Sequence, residues 1–204
     1  MRAQSLGQSA AGWPIFGQFV AHDITADRST LQHYVDPRGL RNARAPQLSL
    51  ECLYGDGPVG HPFLYQRDDP AKLLIGLNGT DVPCNAEGVA IVGDPRNDSH
   101  MLMSQMHLAM LKVHNAFVDD ARRRGIPEHG VFEAAVRETR WHYQWTVLQE
   151  FLPSLVGQPF VDEVRAECLD GSVPPTGTAQ VGVRRRPPLS ACAASTIAGR
   201  DRGG

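Results

Sequence analysis

Apolar positions along the chain follow a helical period in three places and lose it between them. From Pro14 to about Asp27, Ile15, Phe16, Phe19 and Val20 recur at helical spacing, and a proline suits the start of such a helix. From about Asp98 to Arg124 a long helix is predicted, capped by Asn97 or Asp98, with Leu102, Met106, Ala109, Val113 and Phe117 as its apolar stripe. Arg122 to Arg124, then Gly125 and Pro127, supply its C-terminal stop. A second long helix is predicted from about Val131 to Leu152, ended by Pro153, with Phe132, Val136, Trp141, Trp145, Leu148 and Phe151 giving a broad buried face.

Between the first helix and the long pair, Arg28 to Gly93 is broken repeatedly by Asp36-Pro37, Gly55-Asp56-Gly57-Pro58, His61-Pro62, Asn78-Gly79 and Val82-Pro83. Such a stretch reads as a long irregular connector laid over a core. Leu73 to Ile75 and Val89 to Val92 are expected as brief strands or buried extended segments. The composition shifts past Asp162, and from Leu169 to Gly204 two Pro-Pro pairs, a triple arginine and a small-residue run carry no period, which predicts disorder. The expected fold is therefore mainly α with little sheet: a domain over 12–162 and a disordered or unrelated tail over 163–204.

Composition narrows the function classes. A chain of 204 residues, 42% hydrophobic, fits one domain or part of a larger one. With 20 basic against 22 acidic residues, and arginine clusters only three long, nothing favours a phosphate backbone as partner, so no nucleic-acid binding is expected. Cys52, Cys84, Cys168 and Cys192 form no CxxC pair, against a zinc site or a disulfide scaffold. The start lacks the apolar core of a signal peptide, and no apolar run approaches the ~18 residues of a membrane span. A soluble protein is expected, its compartment open.

Two constellations carry candidate chemistry. In GQFVAHD, Gln18 and His22 lie one helical turn apart on a common face, where a histidine can shuttle protons near neutrality; Asp23 points about 100° away. In GDPRND, a tight turn holds Arg96 on a rigid approach to the long helix, where its guanidinium can stabilise negative charge or simply pair with Asp94 or Asp98. His107 and His114 share a helix face, but apolar residues fill the intervening metal-pair positions, so packing roles are expected. His142, among Trp141, Tyr143 and Trp145, also reads as core.

Taken in order, WPIFGQFVAHDIT, LYGDGPVG, DPAKLLIG, VGDPRNDSHMLMSQMHLAMLKVHN and TRWHYQWTVLQEFLPSLVG resemble the animal-type haem peroxidase superfamily, bacterial members included, over roughly Gly12 to Gly157. The resemblance implies that His22 is the distal histidine, general base and then general acid toward hydrogen peroxide. It implies that Gln18 orients peroxide or a halide and that Arg96 stabilises the departing oxygen. Haem b is the implied cofactor, bordered by His22 and Arg96, and a small reducing substrate the second partner. Asp23 matches a residue that helps bind structural calcium, although Ser49 stands where a second aspartate is expected, with Glu51 nearby. Ala21 and Ser99 replace the two acidic residues that esterify haem in mammalian members, so any haem is expected to be free of ester links. No histidine follows His142 to serve as the proximal ligand. The chain is thus expected to be the distal half, truncated beyond it, with a frameshift left open as the origin of the tail. Two rivals are a fatty-acid dioxygenase of the same superfamily, which needs a later tyrosine, and a non-catalytic helical fragment.

Overall fold

The structure, a computed structural model, describes residues 10–27 and 41–170. Seven α-helices are described: α1 (Gly12–Ile24), α2 (Glu51–Tyr54), α3 (Gly57–Gly60), α4 (Met101–Arg123), α5 (Glu128–Thr146), α6 (Leu152–Val156) and α7 (Gln158–Asp170). Short 3-10 turns occupy Pro62–Leu64, Leu77–Gly79 and Pro95–Asp98. The fold is mainly α, and among the described residues pairing is confined to isolated bridges, Asp27 with Asn42, Tyr65 with Leu73 and Cys84 with Ala90. Of the two alternatives predicted for 73–75 and 89–92, brief strands or buried extended segments, each forms only a single bridge in extended chain, with Leu73 buried and Val89 exposed. No described helix is long and apolar enough to cross a membrane.

The chain divides into two compact units, Met1–Gln144 and Trp145–Gly204. In the first, α1 ends at Ile24, short of the predicted Asp27. Thr25 turns extended, and Asn42 takes over the helix end by accepting from Ala26 N–H at 2.8 Å and donating to Ile24 O at 2.9 Å. α4 likewise starts later than predicted. Pro95–Asp98 forms a separate 3-10 turn, and the cap is His100, whose Nδ1 accepts from Met103 N–H at 3.3 Å. The stop at Arg124-Gly125 is as expected, with Gly125 at φ +75° where a side chain would be strained.

The face that α4 buries differs from the one predicted. Met103, Ser104, His107, Leu108, Leu111, His114, Asn115, Val118 and Ala121 point inward, while Leu102 is 56% exposed. Both stripes satisfy the helical period. The inner one is interrupted by polar residues because its neighbour is the irregular connector, whose backbone groups need partners once buried. Asn115 supplies them to buried Leu73, accepting from its N–H at 2.8 Å and donating to its O at 2.9 Å. His114 Nε2 lies 2.9 Å from Ala71 O, and Arg122 forks onto Asp69 at 2.7 and 2.8 Å. Val118 and Ala121 of α4 pack with Val131, Ala134 and Ala135 of α5 into an apolar cluster. Edge-on contacts of Phe16 and Phe19 with Tyr143, and of Tyr54 and Tyr65 with Phe132, extend this core along α5.

In the second unit Pro153 does not end the helical run as predicted. It sits in the first turn of α6, preceded by a π-helical turn, Val147–Phe151. A proline has no N–H for the carbonyl four residues back and crowds it, and a widened turn relieves that conflict. α7 then runs across the predicted boundary at 162/163 as far as Asp170. Arg165 ties it back by donating to Leu148 O at 2.6 Å. Residues 163–170 therefore belong to a helix, whereas the rest of the predicted tail, 171–204, lies outside the described residues, as do 28–40 of the connector.

Candidate functional site

His22 and Arg96 are brought together from positions 74 apart in sequence: Arg96 Nη2 donates to His22 O at 3.1 Å and also to Thr25 O. The sequence builds this approach locally. Gly93 passes so close to α2 that an added Cβ would lie 2.5 Å from Cys52 O. Asp94 then caps the 3-10 turn, its Oδ1 accepting from Arg96 N–H at 3.0 Å and from Arg96 Nε at 2.9 Å. The expected Arg96–Asp94 pair thus exists, with Nη2 to Oδ2 at 2.8 Å, and it aims the guanidinium at the end of α1. The Arg96 side chain remains 39% exposed, with its Nε and Nη2 engaged by Asp94 and by the His22 and Thr25 carbonyls.

Behind Asp94 lies Arg44, a residue without motif or period in the sequence. Its guanidinium is buried, 3.1 Å from Asp94 Oδ2 and 3.0 Å from Glu51 Oε1. Burial would raise the Asp94 carboxyl, but hydrogen bonds from Arg96 and Arg44 hold it below the usual carboxylate range. Asp94 therefore stays ionised as the pivot between two guanidinium groups.

His22 is buried with its Nδ1 2.8 Å from Asn97 Oδ1, and the far end of that amide, Nδ2, lies 3.0 Å from His107 Nδ1. His22 Nε2 engages no hydrogen-bond partner among the described residues. Gln18 shares the α1 face of His22 but pairs instead with His100, Oε1 to Nε2 at 3.1 Å. His107 and His114 are buried, as their predicted packing roles require, and burial lowers both to about 4. At neutral pH they are uncharged. Burial also pushes the Cys52 thiol up, which removes it as a nucleophile.

Asp23 is buried and directed away from this face. Its Oδ2 accepts from Leu50 N–H at 3.1 Å, while Oδ1 meets no partner among the described residues. Burial raises its carboxyl above the usual value. The loop beside it holds Leu48 and Leu50 at φ +51° and +58°, a left-handed backbone that leucine rarely adopts. Gln144 Nε2 on Leu48 O at 3.2 Å and Arg140 Nε on Ser49 O at 2.7 Å keep it there. Calcium takes about six to eight oxygen ligands. Here Ser49 and Leu48 turn their carbonyls to α5, Glu51 is paired with Arg44, and no group of three or more His, Cys, Asp or Glu among the described residues could hold a metal. Among the described residues the donor set does not fit calcium, and the Arg44 guanidinium adds only a small favourable field at Asp23.

For haem the two faces of the question separate. His22 Nε2 is unengaged among the described residues, and Arg96 meets His22 through its backbone carbonyl. Ala21 and Ser99 offer no carboxylate for an ester link. Asn97, His107 and Arg44, which organise the site, were not predicted for it. Asn97 stood out only as a helix cap, and the contacts of all three are long-range. No family model matches the sequence, and no curated protein matches it.

Proposed function

We propose that this chain carries the distal, peroxide-handling side of a haem peroxidase that uses hydrogen peroxide to oxidise a small organic substrate or halide. The observation that supports the reading is the donation of Arg96 Nη2 to the backbone carbonyl of His22, the residue whose imidazole leaves Nε2 unengaged among the described residues. His22 Nε2 takes the peroxide proton and returns it to the departing oxygen, and Arg96 stabilises the charge developing there. Gln18, one turn earlier, orients the ligand from the edge where it now meets His100. Haem, when bound, supplies the iron that accepts the oxidising equivalents of peroxide. The reading assigns the distal face alone, since no histidine follows His142.

Titrating the purified chain with haem should shift its Soret band and give peroxide-dependent dye oxidation. His22→Ala should then lower turnover by roughly a hundredfold or more. No Soret shift and no turnover would overturn the reading. A second reading, a non-catalytic helical module that packs on a partner, draws on Met101, Leu102 and Trp141, which are 74%, 56% and 41% exposed. The same titration separates the two, because that module binds no haem.

A further inference from the structure

We propose that Asn97 is a positioning residue that fixes which nitrogen of His22 carries the proton, and that His107 fixes Asn97 in turn. Three elements meet in this chain of side chains: α1 brings His22, the 3-10 turn Pro95–Asp98 brings Asn97, and α4 brings His107. Asn97 and His107 are both buried.

The assignment follows from what each atom can do. An amide oxygen only accepts, so at 2.8 Å from Asn97 Oδ1 the His22 Nδ1 must donate and hold the proton. An amide NH2 only donates, so at 3.0 Å from Asn97 Nδ2 the His107 Nδ1 must be bare, and a neutral His107 carries its proton on Nε2. Burial lowers His107 to about 4, so it remains an acceptor throughout the neutral range. Turning the amide over would require both histidines to exchange tautomers together. The arrangement leaves the lone pair of neutral His22 on Nε2, the nitrogen that engages no other group among the described residues. A general base needs that lone pair on its ligand side. The functional meaning rests on the peroxide reading; the tautomer assignment does not.

The test separates the two. Two-bond proton–nitrogen correlation spectra of the 15N-labelled full chain near pH 7.5, with peaks assigned through His22→Gln and His107→Gln, report the tautomer of each ring without haem. The expected result is His22 protonated on Nδ1 and His107 on Nε2. Asn97→Ala should move His22 toward the Nε2-protonated form, while Asn97→Asp, which keeps the acceptor, should retain the Nδ1 proton. A wild-type His22 protonated on Nε2, or a His22 pattern unchanged by Asn97→Ala, overturns the proposal. Should Asn97→Ala fail to fold, the wild-type spectrum decides alone. With haem loaded, Asn97→Ala should lower kcat/KM for peroxide on the order of a hundredfold, with partial rescue by Asn97→Asp. Absent turnover in the wild type defeats the peroxide reading and leaves the tautomer result to stand on its spectra.

Discussion

α4 carries two buried histidines on one face, and each works with an asparagine, yet the two pairs end differently. At the C-terminal pair, Tyr54 OH and Ala71 O lie 3.1 and 2.9 Å from the two ring nitrogens of His114, and Asn115 takes both backbone groups of Leu73. Every group there is answered by another, and the result is a clamp on the connector. At the N-terminal pair, His107 and Asn97 lead to His22, where the line stops at a nitrogen with no partner among the described residues. The same residue types therefore close a hydrogen-bond set in one place and leave a ring nitrogen without a partner among the described residues in the other. Residue type and spacing do not separate the two uses. Whether the hydrogen-bond chain closes does.

The sharpest way to break the comparison is to open the closed pair. Asn115→Leu would leave the N–H of Leu73 buried without a partner, at a cost of about 1–3 kcal/mol, and its C=O with Gln66 Nε2 at 3.2 Å alone. The expected loss is roughly 2–4 kcal/mol in urea unfolding, with His22 and its neighbours unmoved. A loss below about 1 kcal/mol would mean that this pair is not what holds the connector.

Acid should act on both pairs alike and by a smaller amount. His107 and His114 fall to about 4 in the folded chain through burial, against an ordinary value of 6.5. Below 6.5 the unfolded chain binds protons that the folded one refuses, so stability is full above that value and is lost as pH falls toward 4. Between pH 7 and 5 each histidine should cost about 2 kcal/mol. His114→Gln, which removes one of the two, should flatten the slope of stability against pH in that window. An equal slope in the variant would refute the assignment of His114 as a buried neutral ring.

Much of the architecture was legible because helices announce themselves by period and stops. The class, the three helical stretches and the Arg124-Gly125 end all follow from local chemistry. Boundaries moved where a local signal met a competing one: Asn42 took the end of α1, His100 took the cap of α4, and Pro153 widened a turn instead of stopping a helix. Of the site, Arg96 with Asp94 was readable because both lie in one turn. The meeting of Arg96 with the end of α1 was expected only through an ordered set of motifs. Arg44 was invisible, since a lone arginine in a punctuated connector shows nothing of the two carboxylates it will find at 3.0 and 3.1 Å. Asn97 was visible only as a cap.

The misassigned face of α4 gives the most diagnostic prediction, with the smallest expected effect at Leu102. Leu102 and Leu108 are the same residue on one helix, six positions apart, and period alone favoured the first as core. The structure buries Leu108 and leaves Leu102 56% exposed, because the inward stripe accepts polar residues wherever the connector backbone needs partners. Leu108→Ala should cost about 2–4 kcal/mol, as a truncated core leucine does. Leu102→Ala should change stability by no more than about 0.5 kcal/mol, as an exposed site does. Urea midpoints of the two variants measured side by side decide it. Equal losses would mean that the outer stripe is also covered, and the separation of a polar inner seam from an apolar outer face would then fail.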